Sequence, residues 1–348
     1  MINAAEKPNR LVDIAQIAGV SRTAVAKVLF NSGGKHVRIA PETSERVRQI
    51  AKDLNYQPNV AARQLKGKRS QLIGVIIDSC APSVSFSRLS KMEMEASRRG
   101  YRFMVGQSHD DIKHITAYAR DFASYGVDGV ICISHEYPEM GDQIAAMFSR
   151  FKNVVFVDKP MANSEHLSYV QIDYSEGVRL LVEYLASKSH KNIGTILGSL
   201  EIPNFKSQYD GYVKTLRMCG LDLQDELVAF FKFHEVLPPQ EVLDACVAKM
   251  CSRSVDAILA MDDMWAIKII KSLKKIGKRV PDDVAVVGFG NSEYATIYEP
   301  AITTVDEDLP ELSKLVVEML VNMIEGKSIP TEMRQICLSP KLIVRDSA

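Results

Sequence analysis

AGVSRTAVAKVL, residues 18–29, ends one short helix and begins another within four residues. Upstream, Leu11, Ile14, Ala15 and Ala18 recur at helical spacing, and Gly19 follows as a stop, the residue best able to turn left-handed at a helix end. Ser21 is placed to cap the next helix by accepting a hydrogen bond from a first-turn amide, and Val25, Val28 and Leu29 give that helix an apolar face. A loop, Asn31–Ile39, carries Gly33, Gly34 and Lys35. Beyond it the spacing predicts a third helix over Pro41–Asn55, with Pro41 in the first turn and Val47, Ile50, Ala51 and Leu54 at i, i+3, i+4 and i+7. Three short helices so spaced form a helix-turn-helix module, whose second helix fits the major groove of DNA.

From Gln71 onward the pattern changes to short β-branched runs alternating with amphipathic stretches. LIGVII (72–77) precedes a helical Ser87–Arg99, YRFMV precedes Ile115–Tyr125, GVICIS precedes Asp142–Arg150, and NVVFVD follows. The rhythm restarts with YVQID, the helix Glu176–Ser187, NIGTIL, the helix Lys206–Cys219, VDAILA, the helix Met264–Ile276 and VAVVGF; a last helix and closing strands end the chain. Runs that are apolar throughout suit parallel strands covered on both faces by helices. The expected architecture is therefore an N-terminal all-α module, residues 1–56, a linker over 57–70, and an α/β core over 71–348 made of two doubly wound parallel-sheet lobes. The first lobe is placed at about 71–167 and 302–330, the second at about 168–301 and 331–348.

The 348 residues hold 43 Lys/Arg and 43 Asp/Glu, but these are unevenly shared. Residues 1–70 carry thirteen basic and five acidic side chains, and the remainder carries thirty basic and thirty-eight acidic. A basic block of this kind suits a polyanion, because neutralising phosphates releases their counterions. No apolar run is long enough to span a bilayer, and MINAAEKPNR lacks the apolar stretch of a secretory signal, so a cytoplasmic protein that makes no membrane contact is expected. Cys80, Cys132, Cys219, Cys246, Cys251 and Cys337 form no CxxC pair and read as reduced core thiols. The seven histidines show no HxxxH or HExxH spacing, so no metal site is expected. There is no GxxxxGK[ST] loop, no GxSxG elbow and no full GxGxxG, and neither a catalytic residue nor a cofactor is assigned.

Two adjacent segments carry a resemblance: AGVSRTAVAKVL (18–29) and LNYQPNVAARQLKGKRS (54–70). Followed in order by I-G-V, V-D-G-V, V-V-F-V-D, V-P-D-D-V-A-V-V-G-F and T-T-V, they resemble the LacI/GalR family of bacterial transcriptional repressors. The resemblance implies a helix-turn-helix joined by a hinge helix to a core like the periplasmic sugar-binding proteins. It also implies a homodimer on a near-palindromic operator, since two-fold protein symmetry imposes two-fold DNA symmetry. The chain stops soon after its last apolar run, without a heptad tail, which favours a dimer over a tetramer. The alternative, a soluble ligand-binding receptor of periplasmic type, leaves residues 1–70 without a purpose.

At the DNA end, Arg22, Thr23 and Lys27 are the candidates for base readout: Arg and Lys donate to guanine, and Thr can meet a thymine methyl. Ser21, Tyr56, Asn59 and Arg63 are candidates for phosphate contact. The resemblance makes Asn59–Leu65 the hinge helix, with Leu65 as a minor-groove wedge and Ala62 beside it; an apolar side chain there unstacks and kinks the duplex. In the core an effector would sit between the lobes at the carboxyl ends of the strands. Asp158 and Asp262 match family positions, whereas Gln208 stands in place of an Arg, Met261 of an Asn and Gly290 of an Asp, with Asn291 after it. Pro82, Ser83, Val84 and Ser85 replace an Asn-Pro-aromatic-aromatic stretch. The expected cleft, Phe86, Asp158, Gln208, Met261, Asp262, Gly290 and Asn291, suits an atypical, less polar ligand in place of a sugar, or none. Trp265 is expected to pack near it, and Met92 with Met94 to lie at a subunit interface.

Overall fold

A computed structural model of the chain describes residues 10–30, 39–56, 69–79, 81, 83–109, 111–134, 137, 140–161, 166–231 and 239–348. The chain divides into two compact units, Met1–Ser70 and Gln71–Ala348.

The first unit holds α1 (Leu11–Ala18), α2 (Arg22–Phe30) and α3 (Pro41–Asp53). The Arg10 amide donates to Asp13 Oδ2 at 2.6 Å across the start of α1, and Gly19 at φ +65° ends the helix. Ser21 Oγ accepts from the Ala24 amide at 3.1 Å, which caps α2 and fixes where it starts. Pro41 opens α3. That helix ends two residues earlier than its apolar spacing predicts, because Asn55 turns left-handed at φ +47° and the Tyr56 amide bonds back to Ala51 O at 2.9 Å. Ile14, Val25 and Val47, one from each helix, are fully buried against one another with Ala15, Ala18 and Ala51 around them. Burying each of the three large side chains contributes about 1.5–3 kcal/mol. The Arg46 guanidinium donates to Ala18 O at 3.0 Å, which ties α3 to the end of α1.

In the second unit a six-stranded sheet runs in the order β11 (Gln335–Leu338), β5 (Tyr169–Ile172), β4 (Val154–Val157), β3 (Gly129–Cys132), β1 (Leu72–Ile77), β2 (Arg102–Gln107), every pair parallel. Helices α4 (Ser83–Arg98), α5 (Ile112–Tyr125), α6 (Gly141–Phe148) and α12 (Leu309–Glu325) accompany it. Gly74 in β1 lets α5 lie close, since a Cβ there would come 2.5 Å from the Phe122 ring. A second parallel sheet runs β7 (Val228–Phe231), β6 (Ile193–Gly198), β8 (Ala257–Ala260), β9 (Ala285–Val287), with α7 (Tyr174–Ser187), α8 (Pro203–Met218), α9 (Gln240–Ser252), α10 (Asp263–Lys275) and the short α11 (Glu293–Ile297). The antiparallel pair β10 (Thr304–Asp306) and β12 (Lys341–Ile343) adjoins β9: the amides of Gly288 and Gly290 donate to Thr303 O and Val305 O at 2.9 and 2.8 Å. A helical N-terminal unit followed in the chain by two doubly wound parallel sheets is the architecture expected from the sequence.

Its internal division differs from the expected one. Residues 169–172 and 335–338, assigned to the second lobe, are β5 and β11 of the first sheet. An apolar run specifies a buried parallel strand without specifying which sheet it joins, so the crossing between lobes falls after β5. Strand β7 and helix α9 have no counterpart in the sequence reading; β7 is a short edge strand with none of its residues fully buried. Among the described cysteines only Cys132 is buried, and Cys337 is exposed. Met92 is fully buried in the core and Met94 is exposed, so they do not form one surface pair. Among the described residues no helix is long and apolar enough to cross a membrane, and no three His, Cys, Asp or Glu side chains are grouped to hold a metal.

Candidate nucleic-acid interface and ligand cleft

In the N-terminal unit, the residues named for base readout lie along α2. Arg22 and Thr23 are exposed in its first turn, and Lys27 is half-buried one turn later. Val25 and Ala26 turn inward, and Val25 joins the apolar cluster shared by the three helices. Ser21 is exposed at the N-terminus of α2, where free amides and the helix dipole favour a phosphate. Tyr56 is half-buried at the end of the unit with its ring 6.5 Å from that of Phe30. Asn59, Ala62, Arg63 and Leu65 lie outside the described residues.

In the core, both sheets present carboxyl ends of strands near their topological switch points, where open α/β sheets bind ligands. Asp158 follows β4, Met261 and Asp262 follow β8, and Gly290 and Asn291 follow β9. Asp158 is buried at φ +67°. Its Oδ2 accepts from Arg88 Nη1 at 2.7 Å, and the Tyr174 hydroxyl stands 3.1 Å from each of its oxygens. Gln208 is buried, and its Oε1 has no partner among the described residues. Met261 is buried in the apolar cluster that holds Trp265, whose ring lies 5.2 Å from Phe231. Asp262 caps α10 by accepting from the Trp265 amide at 2.8 Å; burial and the neighbouring Asp263 push its carboxyl up to about 6.

Two of the unusual positions have a conformational explanation. Gly290 lies at φ +111°, which an L side chain rarely adopts, and its amide is fixed to Val305 O. Asn291, also left-handed at φ +48°, accepts from Arg345 Nη2 at 2.6 Å through Oδ1. Phe86 does not join the group: it lies 37% exposed on α4, about a third of a turn from the buried face of that helix.

Four polar residues of the cleft were not singled out from the sequence: Arg88, Tyr174, Asp263 and Glu307. Arg88 falls on the stripe Ser85, Arg88, Met92, Ala96 that α4 buries, and a charge in an apolar stripe is the signal that could have found it. Its Nη2 donates to Glu307 Oε2 at 2.6 Å and to the Tyr174 hydroxyl at 3.0 Å. Burial opposes the charge, but Glu307, Tyr174 and Asp158 together hold the guanidinium protonated, above the usual arginine range. Burial pushes the Glu307 carboxyl above its ordinary value, and Arg88 works against that rise. Tyr174, its hydroxyl also pushed up by burial, stacks on Phe289 with ring centroids 5.6 Å apart. Asp263 accepts from the Ser292 amide at 2.6 Å and from the Thr304 hydroxyl.

Residues 10–59 match the lacI family of bacterial regulatory proteins, and residues 182–348 match the periplasmic binding protein-like domain. The chain is 28% identical over 339 residues to the HTH-type transcriptional repressor PurR of Pasteurella multocida, covering 96% of this chain and 97% of the relative. It is also 28% identical to the HTH-type transcriptional regulator CelR of Thermobifida fusca, covering 96% of each. Among solved structures, a Lac repressor dimer bound to operator and the anti-inducer ONPF superimposes with a TM-score of 0.83 at 23% identity, over 98% of this chain and 99% of that one. A CelR–cellobiose complex superimposes with a TM-score of 0.70 at 26% identity, over 98% and 100%. The chain thus joins, in sequence order, a DNA-binding domain of the lacI family of bacterial regulatory proteins to a periplasmic binding protein-like domain, and is similar along nearly its whole length to transcriptional regulators built in the same order.

Proposed function

We propose that this chain represses transcription as a cytoplasmic homodimer that sits on the nucleoid at a near-palindromic operator. Arg22, Thr23 and Lys27 read base edges, Ser21, Tyr56, Asn59 and Arg63 hold phosphates, and Leu65 with Ala62 enters the minor groove. The observation that carries this reading is the capped helix α2, which offers Arg22 and Thr23 outward from a packed three-helix unit within the basic first seventy residues. A free-standing ligand receptor would have no use for that helix. Selection of bound sequences from a random duplex pool at two salt concentrations tests it, since salt weakens phosphate contacts far more than base readout. An enriched palindrome with a flexible central pyrimidine–purine step is expected. Binding that vanishes at the higher salt with no enriched sequence would count against sequence-specific repression. Leu65→Ala should weaken binding to the selected site and spare non-specific binding; equal loss of both would contradict the wedge role.

On the ligand side we read the cleft as atypical. Asp158 is engaged by Arg88, Asn291 by Arg345, Gly290 offers no side chain, and Met261 is apolar. That leaves Gln208 and Asp262 to meet hydroxyl groups, too few for the directional contacts a sugar needs. Calorimetry across common mono- and oligosaccharides should give no micromolar binding, and a clear micromolar sugar would overturn this reading.

A further inference from the structure

Arg88 and Asp158 belong to the first lobe, one on α4 and the other at the end of β4. Tyr174 and Glu307 stand where the chain enters and leaves the second: Tyr174 follows β5 and opens α7, which packs on α8, and Glu307 lies between β10, which adjoins β9, and α12, which packs on α4. The guanidinium thus ties the first lobe to the points where the chain enters and leaves the second. It donates to Glu307 at 2.6 Å and Tyr174 at 3.0 Å on one side and to Asp158 at 2.7 Å on the other, while the Tyr174 hydroxyl, 3.1 Å from Asp158, closes the ring. The side chains of Arg88, Asp158 and Glu307 are each only 4–5% exposed.

We propose that Arg88 is a built-in ligand of the cleft, which joins the two lobes through Asp158, Tyr174 and Glu307 and so sets the core's conformation without a bound small molecule. This deepens the reading of the cleft as atypical and rests on it. A small effector acts on a two-lobed core by binding one lobe arrangement better than another. Here the differential contacts are supplied by the chain itself, and they are charge-assisted and shielded from water, which makes them strong. An outside ligand would have to displace a guanidinium from two carboxylates.

Amide hydrogen exchange on the full chain tests the proposal. Arg88→Leu alone would bury two carboxylates without their counter-charge, so the informative variant is Arg88→Leu/Asp158→Asn/Glu307→Gln, which removes the three charges together. Relative to the native chain, exchange in residues 84–90, 158–161, 172–176 and 304–309 should accelerate about tenfold or more, while β1 and β6 stay protected. Affinity for the duplex selected from the random pool should also change by about tenfold, as expected when a conformational bias is removed. Unchanged exchange at the lobe junction would overturn the proposal, and so would uniform acceleration through both sheets, which would mark Arg88 as a support of the fold alone. If the native chain selects no duplex, the repressor reading fails, and the exchange result still decides the role of Arg88.

Discussion

A carboxylate that starts a helix in a poorly hydrated place feels two opposing effects, and Asp262 shows which one wins. Its Oδ1 accepts from the Trp265 amide, which favours the ionised form, yet burial and Asp263 raise the carboxyl to about 6 from an ordinary 3.8. The folded chain therefore holds a proton in a range where the unfolded chain has released it, and stability falls as pH rises from about 4 through 6. Asparagine caps a helix as well as aspartate does and does not titrate. Asp262→Asn should gain on the native chain as pH rises, by up to about 3 kcal/mol at pH 7.5, because one pKa unit corresponds to about 1.4 kcal/mol. Thermal midpoints of both proteins from pH 4.5 to 7.5 measure this, and a difference that does not change with pH would refute it. Gly290 makes a second case. At φ +111° a side chain strains the backbone even where space is open, so Gly290→Ala should destabilise the core by about 1–3 kcal/mol, read from its thermal midpoint. The glycine was legible in the sequence as a missing acid; its positive φ was not, because only the turn after β9 imposes it.

Elements whose ends are written in side-chain chemistry could be read from the sequence. Ser21 before an apolar stripe marks the start of α2, and the Ser21 Oγ bond to the Ala24 amide is the physical counterpart of that mark. Ser21→Ala should lower the stability of the N-terminal unit by about 1 kcal/mol, seen as an earlier loss of helical signal on heating; an unchanged transition would mean that the cap adds nothing. The unbroken run LIGVII is β1 residue for residue, since a strand covered on both faces leaves no place for a polar side chain. β7 could not be recognised in this way, because its residues are partly solvated and their pattern resembles a loop. Helix α4 was recognised but its orientation was not. Phe86 is expected in the cleft ahead of a helix that begins at Ser87, but the helix begins at Ser83 and carries Phe86 on a solvated face, whereas two carboxylates and a hydroxyl from distant segments decide that Arg88 goes in. Those partners are 70 to 219 residues away, beyond any local pattern.

For the molecule as a whole, the order of motifs along the chain was enough to foresee a helical N-terminal unit and two parallel sheets, while the allocation of β5 and β11 required the strand pairing itself. The partition of charge was also plain from the sequence, and it leads to a test that separates affinity from specificity. Thirteen basic residues against five acidic ones lie in residues 1–70, and the rest of the chain has an acidic excess that repels phosphate. Attraction to DNA should then come almost wholly from the N-terminal seventy residues and appear as a steep dependence on salt, each phosphate neutralised adding about 0.9 to the slope of log affinity against log salt. Removing general attraction and removing readout should leave different traces. Lys66→Ala/Lys68→Ala/Arg69→Ala should flatten that slope, by as much as about 3 per protomer, and leave the selected sequence unchanged. Arg22→Ala should alter which bases are enriched, with a loss of about 1–3 kcal/mol at the position it reads, and shift the slope by no more than about 1. Titrations of both variants against the selected duplex and a scrambled one, at several salt concentrations, distinguish the two behaviours. If Arg22→Ala flattened the slope and kept the sequence preference, Arg22 would be a phosphate contact, and base readout by α2 would have to rest on Thr23 and Lys27.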